Sequence, residues 1–194
     1  IIIPDSVTSI GGYTFSYCES LSSVTIGNGI TSIGEYAFCD CSSLTSITIP
    51  DSVTSIESSA FVGCKNITSI TVSEGNPVYH SAGNCLIETK TKTLAVGCKN
   101  SVIPDDGSVT SIGSSAFDGC ESLTSITIPD SVTSIGDDAF YGCSRLTSIT
   151  IPDSVTSIGE WAFYRCSRLT SITIPDSVTS IGYGAFEDCT SLTS

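Results

Sequence analysis

The sequence predicts an α/β solenoid, a curved stack of about eight 23-residue coils with short parallel β-strands, one-turn helical corners and one divergent coil containing a hairpin. Three observations lead there. First, a corner Phe recurs at Phe15, Phe38 and Phe61, then at Phe117, Phe140, Phe163 and Phe186, and within each group the position rises by 23. From Phe61 to Phe117 it rises by 56, two steps plus ten. Fixed-period self-similarity of this kind marks stacked repeats. Second, the apolar residues of a unit, here Leu146, Ile149, Ile151, Val155, Ile158, Ala162, Phe163 and Cys166, fit neither a single helical period nor long alternation. Such spacing suits a coil that turns corners. Third, turn-forming residues punctuate every copy at the same places.

The unit LTSITIPDSVTSIGxxAFxxCxx can be taken in order. LTSITI and VTSIG are rich in β-branched residues, which favour a pleated surface. Pro and Asp end the first strand, with PDS expected as an Asx-turn, and Gly ends the second. GEWAFYRC, positions 159–166, is long enough for about one helical turn with Ala and Phe inward. One coil cannot bury these side chains alone, so each must stack on its neighbours at roughly 4.8 Å, giving a rod or arc roughly 40 Å long. The chain reads as a single solenoid over 1–194, with regular coils over 1–71, a divergent coil over 72–103 and regular coils over 104–194. Within the divergent coil, GNP at 75–77 is a turn signal, and CLIE-TKTK-TLAV is two apolar strands around a basic turn, hence a hairpin.

The L-x-x-I-x-I opening and the version IPxSVTSIGxxAFxxCxxL resemble the BspA-like, or Treponema-type, leucine-rich repeat family over nearly the whole chain. Residues 72–103, with GNPVYHSAGNCLIETKTKTLAV, are similar to that family's irregular coil. The resemblance implies a curved solenoid on secreted or cell-surface proteins that engage in adhesion and bind host proteins. Extracellular or cell-surface localisation is expected on that ground. The chain begins at IIIPDSVTSIG and ends at CTSLTS, both within a repeat, so it reads as an excerpt of a longer protein.

The chain has 194 residues and a formal charge of −13. Binding to a phosphate backbone requires clustered Lys and Arg, so the charge argues against nucleic acid as a partner, and it likewise disfavours anionic membrane surfaces. No apolar run is as long as the roughly 18 residues that a spanning helix needs, so no membrane insertion is expected. Seven of the ten cysteines lie at the third position after a corner Phe, from Cys18 to Cys189, and read as a ladder of reduced, buried thiols. Cys85 and Cys98 flank the hairpin, and their spacing leaves open whether they are bridged. Cys39 falls in a variable slot expected to be exposed.

Between copies the strand letters barely change, whereas four slots around Ala-Phe vary freely. Stacking on identical neighbours would fix the first and solvent would free the second; recent duplication with drift accounts for the same pattern. The last three coils place Tyr141, Trp161, Tyr164 and Tyr183 in these slots, with Arg165 beside them and Arg145 and Arg168 at the second position after the ladder Cys. Tyr, Trp and Arg dominate protein-binding hot spots. Tyr141, Trp161, Tyr164, Arg165, Arg168 and Tyr183 are therefore the candidate binding residues, for a protein and secondarily for a glycan. Rings lying flat as a shield over the Phe file are the structural alternative. Ser148 and Thr150 and their equivalents should form outward hydroxyl ladders. No nucleophile–base pair, metal set or phosphate loop is visible, so neither catalysis nor a cofactor or metal is predicted. A binding or adhesion module, or a stalk presenting another domain, are the two function classes left.

Overall fold

The computed structural model describes residues 1–194. Most regular coils carry two strand segments on different sides, whereas the last full coil keeps only Ser180–Ile181. Residues of LTSITI pair in parallel with their copies in the next coil, as Ser125–Thr127 with Ser148–Thr150 and Ser46–Ile49 with Ser69–Val72. The Ser-Ile pairs of VTSIG stack in the same way, Ser111–Ile112 on Ser134–Ile135, then Ser157–Ile158 and Ser180–Ile181. Every Ile of these pairs meets an Ile, and every Ser a Ser, because the constant repeat length sets the register.

The buried corner Phe residues stack in two files, and the core divides into two apolar clusters. Phe117, Phe140, Phe163 and Phe186 stack face to face with ring centroids 5.1–5.3 Å apart, as do Phe15, Phe38 and Phe61 at 5.2–5.3 Å. Four of these rings, Phe38, Phe117, Phe140 and Phe163, are fully buried. At about 25 cal/mol per Å² of apolar surface removed from water, burial of each ring side chain is worth ~2–3 kcal/mol.

The helical corners are a correction: the structure contains no helix. Main-chain donors at the corner are divided between two tasks. The N–H groups of Asp138, Phe140 and Gly142 donate to the carbonyls of Glu160, Ala162 and Tyr164 in the next coil at 2.7–2.8 Å. Those of Tyr141 and Cys143 close local turns on Asp138 and Phe140 at 3.0 and 3.1 Å. A helix needs successive donors directed along its own axis, and here every second one goes sideways. Two slots of nearly every corner also sit in the left-handed region, as Asp138 (φ 55°) and Gly142 (φ 67°) do in one coil and Trp161 (φ 49°) and Arg165 (φ 57°) in the next.

The PDS turn differs as well. It is closed by the main chain, Val132 N–H donating to the Pro129 carbonyl at 3.0 Å and Val155 N–H to that of Pro152 at 3.0 Å. The Asp stands exposed, while Ser131 and Ser154 donate to Val109 and Val132 one coil back at 2.7 and 2.6 Å. Of the expected hydroxyl ladders at Ser148, Thr150 and their equivalents, one pair bonds directly, Thr48 and Thr71 Oγ1 lying 3.0 Å apart; the slot before them bonds to the main chain instead, Thr147 Oγ1 donating to the Thr124 carbonyl at 3.2 Å.

The divergent segment is a three-stranded antiparallel meander, Tyr79–Ala82, Cys85–Glu88 and Thr93–Val96, whose last strand pairs in parallel with Ser111–Ile112. The hairpin read from CLIE-TKTK-TLAV is its second half; the strand Tyr79–Ala82 had no alternation to reveal it. Leu86 and Val96 pack into the N-terminal apolar cluster, whereas Cys85, Ile87 and Leu94 pack into the C-terminal one. The Cys85–Glu88 strand is buried on both faces, which is why CLI is apolar without interruption. Asn76 fastens the segment to the coil before it: its amide nitrogen donates to Pro50 and Val53 carbonyls at 2.7 and 2.9 Å, and its amide oxygen accepts from Val78 and Tyr79 N–H.

Candidate functional site

The variable slots lie where each corner reaches solvent. Tyr141 and Tyr164 follow Phe140 and Phe163 directly, so their rings stack like the Phe file beneath them, with centroids 4.8 Å apart. Trp161 and Tyr183, one slot apart in consecutive coils, meet edge to face at 5.7 Å and 86°. Trp161 is 37% exposed and Tyr183 71%. Gly184 makes room for this arrangement, since a Cβ there would stand 2.6 Å from the Trp161 indole. Together Tyr141, Trp161, Tyr164, Tyr183, Asp138 and Glu187 line an open hollow of about 480 Å³. Concave sites of this volume, mostly apolar with a few polar groups, are the usual form of a ligand or side-chain pocket.

The structure thus brings together four of the six predicted binding residues. Arg165 stands on the rim, its guanidinium carbon 5.1 Å from the Tyr164 ring centroid and its Nε 3.4 Å from Asp188. It faces a second shallow depression, shared with Tyr141, Asp118 and Glu121. Arg168 is exposed and lines neither hollow, and the same holds for Arg145. Residue type singled out these arginines, but position along the coil sets them apart. Sequence reading did not single out the two carboxylates, Asp138 and Glu187. Their slots carried the signal, because Asp138 occupies the slot of Trp161 one coil back and Glu187 that of Tyr164 one coil on.

The slots of Trp161 and Arg165 are left-handed, and neighbouring coils fill them with Gly184 and Gly142. A bulky residue there costs on the order of 1–3 kcal/mol relative to a relaxed backbone. Tyr13, Tyr17, Tyr36, Asp40, Ser115, Asp138 and Asp188 occupy the same left-handed slots of other corners, so this strain belongs to the repeat as a whole. The N-terminal corner has an aromatic pair too, Tyr13 over Tyr36 at 5.1 Å, with Tyr17 exposed nearby.

The cysteine ladder lies behind this face. Cys64, Cys143, Cys166 and Cys189 donate their thiols to the carbonyls of Phe38, Phe117, Phe140 and Phe163 at 3.0–3.3 Å. All ten cysteines are unbridged, Cys85 and Cys98 included. Burial pushes the Cys120 thiol up to about 12 and that of Cys85 to about 11. Cys39 corrects the expectation of exposure: it is buried at 8%, and burial beside Asp40 raises it to about 11. Cys18, in the first coil, is the exposed member of the ladder. Thiols held this far from ionisation are poor nucleophiles.

Comparison with known proteins agrees with this architecture. The BspA type leucine rich repeat region matches residues 1–106 and 96–194, in six copies. Among solved structures, the chain is 35% identical to a leucine rich cell surface protein from Faecalibacterium prausnitzii A2-165, with a TM-score of 0.73 over 99% of this chain and 57% of that one. The T. pallidum leucine rich repeat protein is 26% identical, with a TM-score of 0.56 over 100% of this chain and 78% of that protein. The pneumococcal vaccine antigen PcpA shares the fold at 23% identity and a TM-score of 0.76, over 94% of this chain and 46% of the antigen. The chain therefore spans about half the length of the first and last of these. No curated protein sequence matches it. The stacked 23-residue coils, the meander and the two overlapping matches lead to one conclusion: the chain belongs to the BspA-type leucine-rich repeat family.

Proposed function

We propose that this chain is a non-enzymatic binding module of a secreted or cell-surface protein, contacting a host or other surface protein through the aromatic corner of its C-terminal coils. One observation carries the reading: four aromatic side chains from three successive corners converge on an open hollow, one of them, Trp161, from a left-handed slot that the next coil fills with Gly184. The description of the Faecalibacterium relative as a cell surface protein supports the location. No helix is long and apolar enough to cross a membrane, and the inward positions of each coil are filled by aliphatic, Phe and Cys side chains.

The test uses Trp161→Gly and Tyr164→Ala against a panel of extracellular-matrix and surface proteins. Gly at 161 relaxes the left-handed backbone, so thermal unfolding should stay unchanged or rise. Loss of a hot-spot aromatic should weaken binding by ~2 kcal/mol, about 30-fold. Unchanged affinity would remove the corner from the interface, and the absence of any partner would favour the stalk reading, which needs only the regular ladder.

A further inference from the structure

We infer that the C-terminal aromatic hollow is a cation site, which takes an arginine side chain from a basic segment of the partner protein. The inference rests on the proposed binding role and specifies its chemistry. Tyr141, Trp161, Tyr164 and Tyr183 surround the hollow, and its charged groups are the carboxylates of Asp138 and Glu187. Aromatic faces carry the negative part of the ring quadrupole and attract cations within about 6 Å of the centroid, Trp most strongly. Neither carboxylate has a basic partner, because the two ion pairs of the molecule are Lys65–Glu121 and Arg165–Asp188.

An anion would meet two carboxylates here, on a chain of net charge −13. A neutral apolar side chain would strip water from those carboxylates without pairing them. A guanidinium satisfies both requirements, stacking on a ring face while its fork of donors reaches a carboxylate. The molecule already contains this contact on a small scale, in Arg165 over Tyr164 with Asp188 beside it. Burial, together with Asp137 and Glu160, holds the Asp138 carboxyl above its usual range, a condition that an incoming cation relieves.

Trp161 is the sole tryptophan, so its fluorescence reports on the hollow directly. The full chain is titrated with a Gly/Ser peptide bearing one arginine, and with the same peptide carrying citrulline, the uncharged isostere, in its place. The arginine peptide should give a saturable change at least tenfold tighter than the citrulline peptide, weakened by added salt. The double variant Asp138→Asn, Glu187→Gln, with its thermal unfolding checked, should lose at least fivefold in affinity for arginine and leave the citrulline response unaltered. Equal titration by the two peptides, no saturable response to arginine, or a double variant that binds as tightly as the parent would each overturn the inference. If Trp161→Gly abolishes capture of the partner while arginine fails to bind, the interface reading stands and the cation site falls.

Discussion

The regular C-terminal coils and the divergent segment between Phe61 and Phe117 solve the same stacking problem with different material. In the regular coils every corner presents a Phe ring to the next, and every ladder thiol finds a Phe carbonyl. In the divergent segment Val96-Gly97-Cys98 stands where a corner would be, and the ring of Phe117 lies against Gly97. Cys120 accordingly reaches only the Gly97 carbonyl, at 3.9 Å. The outer corner file closes over this gap: Gly63 N–H donates directly to the Asp118 carbonyl at 3.2 Å, and Lys65 pairs with Glu121 at 3.5 Å. A coil can therefore dispense with its corner, provided that an inner strand continues the sheet and fills both cores. Leu86 and Ile87, adjacent in sequence and facing opposite clusters, do this.

Three substitutions sharpen the contrast. The largest effect should come from Phe140→Ala, which removes a fully buried ring stacked on both sides; a loss of ~3–5 kcal/mol is expected from chemical denaturation. The same change at Phe15, half-buried in the first coil, should cost well under half as much. Next is Gly97→Ala. Its added methyl would fall within the Phe117 ring, and such overpacking costs ~1–3 kcal/mol. A neutral outcome would mean that the missing corner leaves slack.

The smallest effect concerns pH. Asp118, half-buried at the junction, is raised to about 7 by burial and by Asp138 and Asp40. Unfolded, it would titrate at about 3.9. The folded state thus binds the extra proton between these values, and stability falls as pH rises from about 4 to about 7. Asp118→Asn should raise the melting temperature by a few degrees at pH 8, change it little at pH 4, and flatten the profile between. A parallel profile for parent and variant would assign the pH dependence elsewhere.

Much of this was legible in the letters. Phe15 through Phe186 announced the period, the Ile of each Ser-Ile pair the inward face, and Cys143 or Cys166 the ladder. The corner was misread because GEWAFYRC has helix-compatible residues, whereas the donors of Asp138, Phe140 and Gly142 are claimed by a neighbouring coil that local propensity does not represent. Cys39 was misplaced for a related reason: its slot is only partly exposed in most coils, as at Ser16, Val62, Tyr141 and Tyr164, and is buried in its own. The site was half legible. Tyr141, Trp161, Tyr164 and Tyr183 stood out by type, but that Arg168 does not line their hollow, and that Asp138 and Glu187 do, depends on the path of the corner in space.

By itself the sequence determined the repeat, its register and its buried file, because a constant period admits one stacking in which like meets like. The tertiary structure alone decided how the corner's hydrogen bonds divide between coils, how the meander bridges two cores, and which surface side chains converge. Those outcomes depend on contacts between residues a full coil or more apart, and such contacts arise only once the coils have stacked.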